Sequence, residues 1–316
     1  MLSIIVPCHN EIQALPFLYD ALHEASQLWS EPTEFILVDD GSTDGTWEEI
    51  TRYASQDFRV RGVSLSRNFG HQAAIGAGFE SARGNAIAVI DADLQDPPEV
   101  IAEMIVHWKS GYDVVYGTRS KRQGETMFKR FTAKTFYSLF ARLTRLPIPM
   151  QTGDFALMDA KVVRSLLQFR EHGLYWRGLR CWNGFRQRHV SFSRPERIAG
   201  KSSYSFFKSL SLAKDAIFSF SEIPKRIPLY FFLLFLAGGI FALGLSFHLY
   251  GSRIALWPSL PLPFLILIIA MGLAQFLCVW LGSEYSARIL DNVRDRPRWI
   301  IDKRTAHLEG KETNHA

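Results

Sequence analysis

Residues 86–100 read AIAVIDADLQDPPEV. An apolar run leads into acids at Asp91, Asp93 and Asp96 and closes on Pro97 and Pro98. A short apolar run bounded by turn residues reads as a buried strand. Such a strand ends in this much negative charge only where something compensates the charge. The chain repeats the pattern. LSIIVP at 2–7 runs into PCHNE, and EFILVD at 34–39 runs into DDGSTDGT. VRGVSL at 60–65 and DVVYGT at 113–118 complete five strands. Helical spacing of apolar residues fills the gaps: 12–29 (Ile12, Leu15, Leu18, Leu22, Ala25), Thr46 to Ser55, a small-residue stretch at 71–83, and 98–109. Strand alternating with helix predicts a mostly parallel sheet with helices on both faces. Ligands of such sheets bind beyond the carboxyl ends of the strands. The clusters VPCHNE, VDDGSTD and IDADLQD therefore share one rim.

The 316-residue chain is 47% hydrophobic, with a net charge of +5, but its apolar residues are unevenly spread. Leu229 to Phe247 and Leu260 to Gly282 are long uncharged runs. A bilayer-crossing helix needs roughly 20 apolar residues, whereas a buried core helix has about 10–14. Both runs are read as transmembrane. Lys225 and Arg226 precede the first; Arg288, Arg294, Arg296, Arg298, Lys303 and Arg304 follow the second; the connecting loop carries only Arg253. Basic flanks stay inside, so both termini and the large region before the spans are expected to be cytoplasmic. MLSIIVPCHN lacks the basic and apolar regions of a signal peptide. Cys8, Cys181 and Cys278 are odd in number and far apart, which gives neither a disulfide framework nor metal-ligand spacing. The basic balance lies near the spans and suits an anionic membrane surface better than nucleic acid.

The expected organisation is a cytoplasmic α/β domain at 1–226, a two-span region at 227–283 and a basic tail at 284–316 that meets the membrane face. Basic amphipathic segments at 125–143 and 203–220 suit either ordinary surface helices or interfacial ones. Small residues such as Gly238 and Gly239 permit helix association and a homo-oligomer.

Asp91, Asp93 and Gln95 alternate, and on an extended segment alternate residues share a face. Oxygen ligands on one face suit a hard cation such as Mg²⁺ or Mn²⁺. A lone D-x-D also occurs in solvated acidic loops. Asp39 and Asp40 could accept from a ribose hydroxyl or a base N–H, or cap the turn that Gly41, Ser42 and Asp44 support. Glu11 by itself reads as a first-turn helix acid.

Taken together, strand–PxxNE, strand–DDGSTDGT and strand–DADLQDPPE resemble the nucleotide-sugar half of inverting GT-A glycosyltransferases of family 2. LSRNFGHQAAIGAGFESARG (65–84), GTRSKRQGE (117–125), TGDFALMD (152–159), RGL..W.GF (177–185) and AGKSSY (199–204) are similar to polyprenyl-phosphate glycosyltransferases. These are the dolichyl-phosphate mannose synthase group and its bacterial undecaprenyl-phosphate relatives. The resemblance implies a Rossmann-like GT-A sheet plus two C-terminal transmembrane helices. It implies that Asp93 and Gln95 bind Mg²⁺ or Mn²⁺, with Asp91 and Ala92 beside the donor. Pro7, His9, Glu11, Asp39 and Asp40 fall where the family holds base and ribose, although His9 stands where many members have Tyr or Phe. Arg119 and Arg130, with Lys134 one turn on, match positions that grip the acceptor phosphate. Arg197 and Lys201 match a donor-closing loop, and Asp154 the acid taken as catalytic base.

The expected activity is inverting transfer of one sugar from a nucleotide donor to undecaprenyl phosphate at the bacterial inner membrane, glucose from UDP-glucose being the first choice. N-acetylhexosamine, 4-amino-4-deoxy-arabinose and GDP-mannose donors stay open. A processive polysaccharide synthase would carry Q-x-x-R-W and more spans, and a non-catalytic scaffold would have lost the acid clusters.

Overall fold

The structure is a computed structural model, described here for residues 1–119, 152–169, 171, 174–193, 218, 221, 223–251 and 261–305. The helices expected at 125–143 and 203–220 lie, apart from Phe218, outside the described residues, as do Arg130, Lys134, Arg197 and Lys201.

The five expected strands are present as β1 (Leu2–Cys8), β2 (Thr33–Asp39), β3 (Val60–Leu65), β4 (Ala86–Val89) and β5 (Val114–Arg119). The helices between them are α1 (Leu15–Ser26), α2 (Thr46–Gln56), α3 (His71–Ser81) and α4 (Val100–Lys109). Helix α1 starts three residues later than its apolar spacing suggested. Pro16 sits in its first turn, where a missing N–H costs nothing.

Three further strands complete an eight-stranded sheet in the order β7-β5-β6-β4-β1-β2-β3-β8. They are β6 (Thr152–Asp159), β7 (Gln187–Phe192) and β8 (Ile301–Arg304). Pairings among β1, β2, β3 and β4 are parallel, as is β5 with β7, while β6 and β8 run antiparallel to their neighbours. The mostly parallel GT-A sheet is thus as expected, with β6 inserted between β4 and β5.

Residues alternate between the two faces along each strand. Leu2, Ile4, Val6, Phe35 and Leu37 pack with Leu15, Leu18 and Ile50 of α1 and α2 and Ile101 and Met104 of α4. Ile5, Ile36, Val38 and Val63 pack on the other face with α3, α5 (Ala160–Leu167) and α6 (Trp176–Trp182). The small residues of α3 let it press close: a Cβ on Gly78 would lie 2.3 Å from the Ile5 side chain.

Two long helices follow, α7 (Ile223–Gly251) and α8 (Pro261–Val293). Both are long and apolar enough to cross a membrane. Their apolar stretches are only 6% and 11% buried, which argues against core helices of a soluble domain. Helix α8 runs beyond Gly282, carrying Arg288 within it. The segment after α8 belongs to the expected basic tail. It returns to the sheet edge, where Val63 pairs with Arg304 and Ser64 with Lys303. Ser66 N donates to Ile300 O (2.9 Å), and Thr305 N to Gly62 O (3.1 Å).

Candidate active site

Strands β2 and β3 lie in sequence to one side of β1, and β4 lies on the other. The sheet therefore reverses its strand order at β1, which is where open α/β sheets bind ligands. The β1–β4 ladder stops at Ile5–Val89, so Pro7 and Cys8 stand beyond it.

On the β1–β2–β3 side the loops are tied together by polar side chains. His9 Nδ1 lies 2.9 Å from the carbonyl of Asp40, a pure acceptor, so Nδ1 carries the proton. Its Nε2 then accepts from Asn68 Nδ2 (3.0 Å) and Asn10 Nδ2 (3.3 Å). Asp40 is buried and accepts from the amides of Phe69 (2.7 Å) and Gly70 (2.9 Å). Burial raises its pKa despite those amides. Asp39, also buried, accepts from Ser64 Oγ (3.0 Å) and Ser42 N (3.2 Å). Glu11 N donates to Thr46 Oγ1 (2.9 Å), while the Glu11 carbonyl caps the start of α1. These acids therefore first build the rim. Gly41 is required at φ +62°, because a Cβ there would lie 2.4 Å from the Arg67 carbonyl carbon.

The DADLQ segment is a turn and not an extended strand. β4 ends at Val89, Leu94 has φ +56°, and Gln95 N donates to Asp93 Oδ1 (3.1 Å). The expected alternation nevertheless survives in burial. Ala92, Leu94 and Asp96 point inward, while Asp91, Asp93 and Gln95 are half-exposed.

β6 brings Asp154 to the same place. Because β6 runs antiparallel, its beginning and not its end lies on the rim. The Asp154 side chain is 8% exposed and has three cationic or polar partners. Gln72 Nε2 donates to Oδ2 (2.9 Å), Arg177 Nε to Oδ1 (3.2 Å), and His71 Nε2 lies 3.3 Å from Oδ2. His71 Nε2 is also 3.6 Å from Asp91 Oδ1. Burial alone would raise the Asp154 pKa, but the Arg177 charge and His71 hold it well below the usual carboxylate range. Burial opposes protonation of His71, yet Asp154 and Asp91 lift its pKa to about 9. Burial pushes Asp91 up, and the charge of His71 acts against it.

Arg119 ends β5 beside this group, its Nη2 3.4 Å from where a Gly153 Cβ would stand. Its Nε is buried without a hydrogen-bond partner among the described residues. Among the described residues its Nε thus takes no part in an ion pair with a neighbouring acid. Asp91 Oδ1 is likewise buried and makes no hydrogen bond among the described residues, facing His71 Nε2 only at ion-pair distance.

His71, Gln72 and Arg177 carry the centre of the site, and rim reasoning from sequence passed over them. SRNFGHQ follows the third strand just as the three acidic clusters follow theirs, and the same rule would have placed it. Arg177 follows no strand end; it opens the quoted motif RGL..W.GF, but only the tertiary fold brings α6 to Asp154.

No group of three His, Cys, Asp or Glu among the described residues could hold a metal alone. The half-exposed oxygens of Asp93 and Gln95, beside the unbonded Asp91 Oδ1, do fit a hard cation that takes its remaining ligands from a substrate.

Sheet and rim together define the class, an α/β enzyme of GT-A architecture whose rim brings acidic side chains together with His71, Arg177 and Arg119. The chain belongs to glycosyl transferase family 2, whose description "Glycosyl transferase family 2" matches residues 3–167. It is a glycosyltransferase. A glycosyltransferase of Bacillus subtilis is 42% identical over 304 residues, covering 95% of this chain and 93% of the relative. The SfII prophage-derived bactoprenol glucosyl transferase of Shigella flexneri is 36% identical over 312 residues, covering 96% and 97%. Among solved structures, glucosyl-3-phosphoglycerate synthase from Mycobacterium tuberculosis, in complex with Mn²⁺, UDP and glucosyl-3-phosphoglycerate, overlaps 69% of this chain and 77% of its own. Its TM-score is 0.48 and its identity 17%.

Proposed function

We propose that this protein transfers one glucose from UDP-glucose to undecaprenyl phosphate at the cytoplasmic face of a bacterial inner membrane, with inversion at the anomeric carbon. The observation that carries this reading is the pairing, in one chain, of a donor-type rim with two exposed apolar helices. A soluble donor and a bilayer-borne acceptor need that combination. The naming of near-full-length relatives as bactoprenol glucosyl transferases supports the acceptor and the sugar.

The acceptor is a phosphate monoester, mostly ionised at neutral pH. It attacks the anomeric carbon, a phosphate–sugar bond forms, and the bond to the nucleoside diphosphate breaks. No strong base is needed. Asp154, held far down in pKa by Arg177, is a poor proton acceptor and acts by keeping His71 and Arg177 in place. His9, Asp39 and Asp40 shape the nucleotide end; Pro7, Glu11 and Ala92 belong to the same lining. Arg119 offers its unbonded N–H to a phosphate oxygen, and Arg130, Lys134, Arg197 and Lys201 are assigned to acceptor and donor phosphates by resemblance. A divalent cation held by Asp93 and Gln95 would supply charge to the departing diphosphate. The rest of the rate comes from alignment and fixed charge.

The test offers purified protein a panel of radiolabelled nucleotide sugars with Mg²⁺ or Mn²⁺ and undecaprenyl phosphate. Organic-phase label from UDP-glucose, lost on adding EDTA, is expected. Label from a different donor would replace the sugar, and label from none would overturn the reading.

A further inference from the structure

We propose that Trp299, on the segment that follows the second apolar helix, is a positioning residue for the transfer site. It lies far from the rim in sequence and on the opposite side of both apolar helices from every residue assigned to the site. Its indole nevertheless sits on α3. A Cβ on Gly76 would lie 2.5 Å from Trp299 Cζ3 and 3.0 Å from Trp176 Cζ2, so two indoles close over one glycine. Trp299 Nε1 donates to Glu80 Oε2 (2.9 Å), one turn further along the same helix.

Trp176 passes the contact to the rim. Its backbone N donates to Gln72 Oε1 (3.0 Å), and its Nε1 to the Gln72 carbonyl (2.7 Å). Gln72 in turn donates to Asp154, and Arg177, the residue after Trp176, pairs with Asp154. Helix α3, which reaches Asp154 through Gln72, therefore packs against Trp299, and Trp176 of α6 closes over the same glycine.

The segment that carries Trp299 is itself pinned. Arg298 Nη1 donates to the Phe169 carbonyl (2.5 Å). β8 adds to the edge of β3, and Gly62 N donates to Thr305 Oγ1 (3.1 Å). The glycine at Gly76 is explained by the same packing. It leaves the room that the two indoles fill, and tight interiors tolerate little added volume. The segment after the second apolar helix thus serves as part of the support for the buried carboxylate of Asp154.

The kinetic test rests on the proposed transfer reaction, and a spectroscopic test does not. In the full-length protein, Trp299→Ala is expected to lower kcat by about tenfold to a hundredfold, as small misplacements of reacting groups do, with donor KM little changed. Trp299→Phe should keep most of the wild-type kcat. Gly76→Ala should impair kcat alone but add less than its own factor to Trp299→Ala, because its closest clashes are with the Trp299 ring. Unchanged kcat in Trp299→Ala, or multiplied losses in the double variant, would overturn the proposal. So would a loss explained wholly by a smaller folded fraction, read from thermal unfolding. In protein labelled with 5-fluorotryptophan, the Trp299 fluorine resonance, identified with Trp299→Phe, is expected to shift in Gln72→Ala. A fixed resonance would refute the link. If the wild type moves no sugar, the function fails, and the fluorine measurement alone decides the positioning.

Discussion

At the scale of single residues, the site is a balance of buried charge. Asp154 stays ionised because Arg177, His71 and Gln72 surround it, and His71 is charged because two carboxylates face it. Linkage gives this a sign. His71 has a raised folded-state pKa of about 9, against about 6.5 for a free imidazole. Its contribution to stability is full below about pH 6.5 and is lost as pH rises through about 9. Thermal midpoints across that range should fall with rising pH in the wild type. The fall should be smaller in His71→Gln, and an identical profile in the two proteins would contradict the assignment. The acids at this scale were legible as candidates because strand ends flagged them. Their partners were not, since Arg177 reaches Asp154 only after α6 folds over the sheet. The alternation in DADLQ was also legible, although the backbone that produces it is a turn.

At the scale of elements, five strands and four helices were legible because their apolar periods are strong. β6 was quoted as the motif TGDFALMD yet not recognised as a strand. Its place between β4 and β5 is antiparallel and out of chain order, and local pattern does not encode that. β8, IDKR, has too few apolar residues to show a strand period, and only the β3 edge makes it one. The small-residue helix α3 was legible as a helix but not as the wedge between Ile5 and the two tryptophans. Its tightness can be measured. Gly78→Ala places a Cβ 2.3 Å from Ile5, and overpacking of this kind costs roughly 1–3 kcal/mol. Denaturant unfolding should show that loss, and wild-type stability in the variant would mean that α3 is not pressed against β1.

At the scale of the whole molecule, α7 and α8 are exposed apolar rods beside a domain with its own two-faced core. We propose, from the distribution of Lys and Arg, that the sheet and both ends share the inner side, with the short connection outside. In spheroplasts of cells making the protein, Ser259→Cys should react with a membrane-impermeant maleimide, while the native cysteines should not. The opposite labelling would reverse the orientation and separate the rim from a cytoplasmic donor. The return of the chain to β3 after α8 ties anchor and sheet into one unit, and the site lies within that unit. The rim as the reaction centre is tested most directly by sugar transfer to undecaprenyl phosphate in Asp93→Ala. The variant should be folded, membrane-bound and devoid of transfer; a wild-type rate in that variant would contradict the placement of the donor diphosphate at the DADLQ turn.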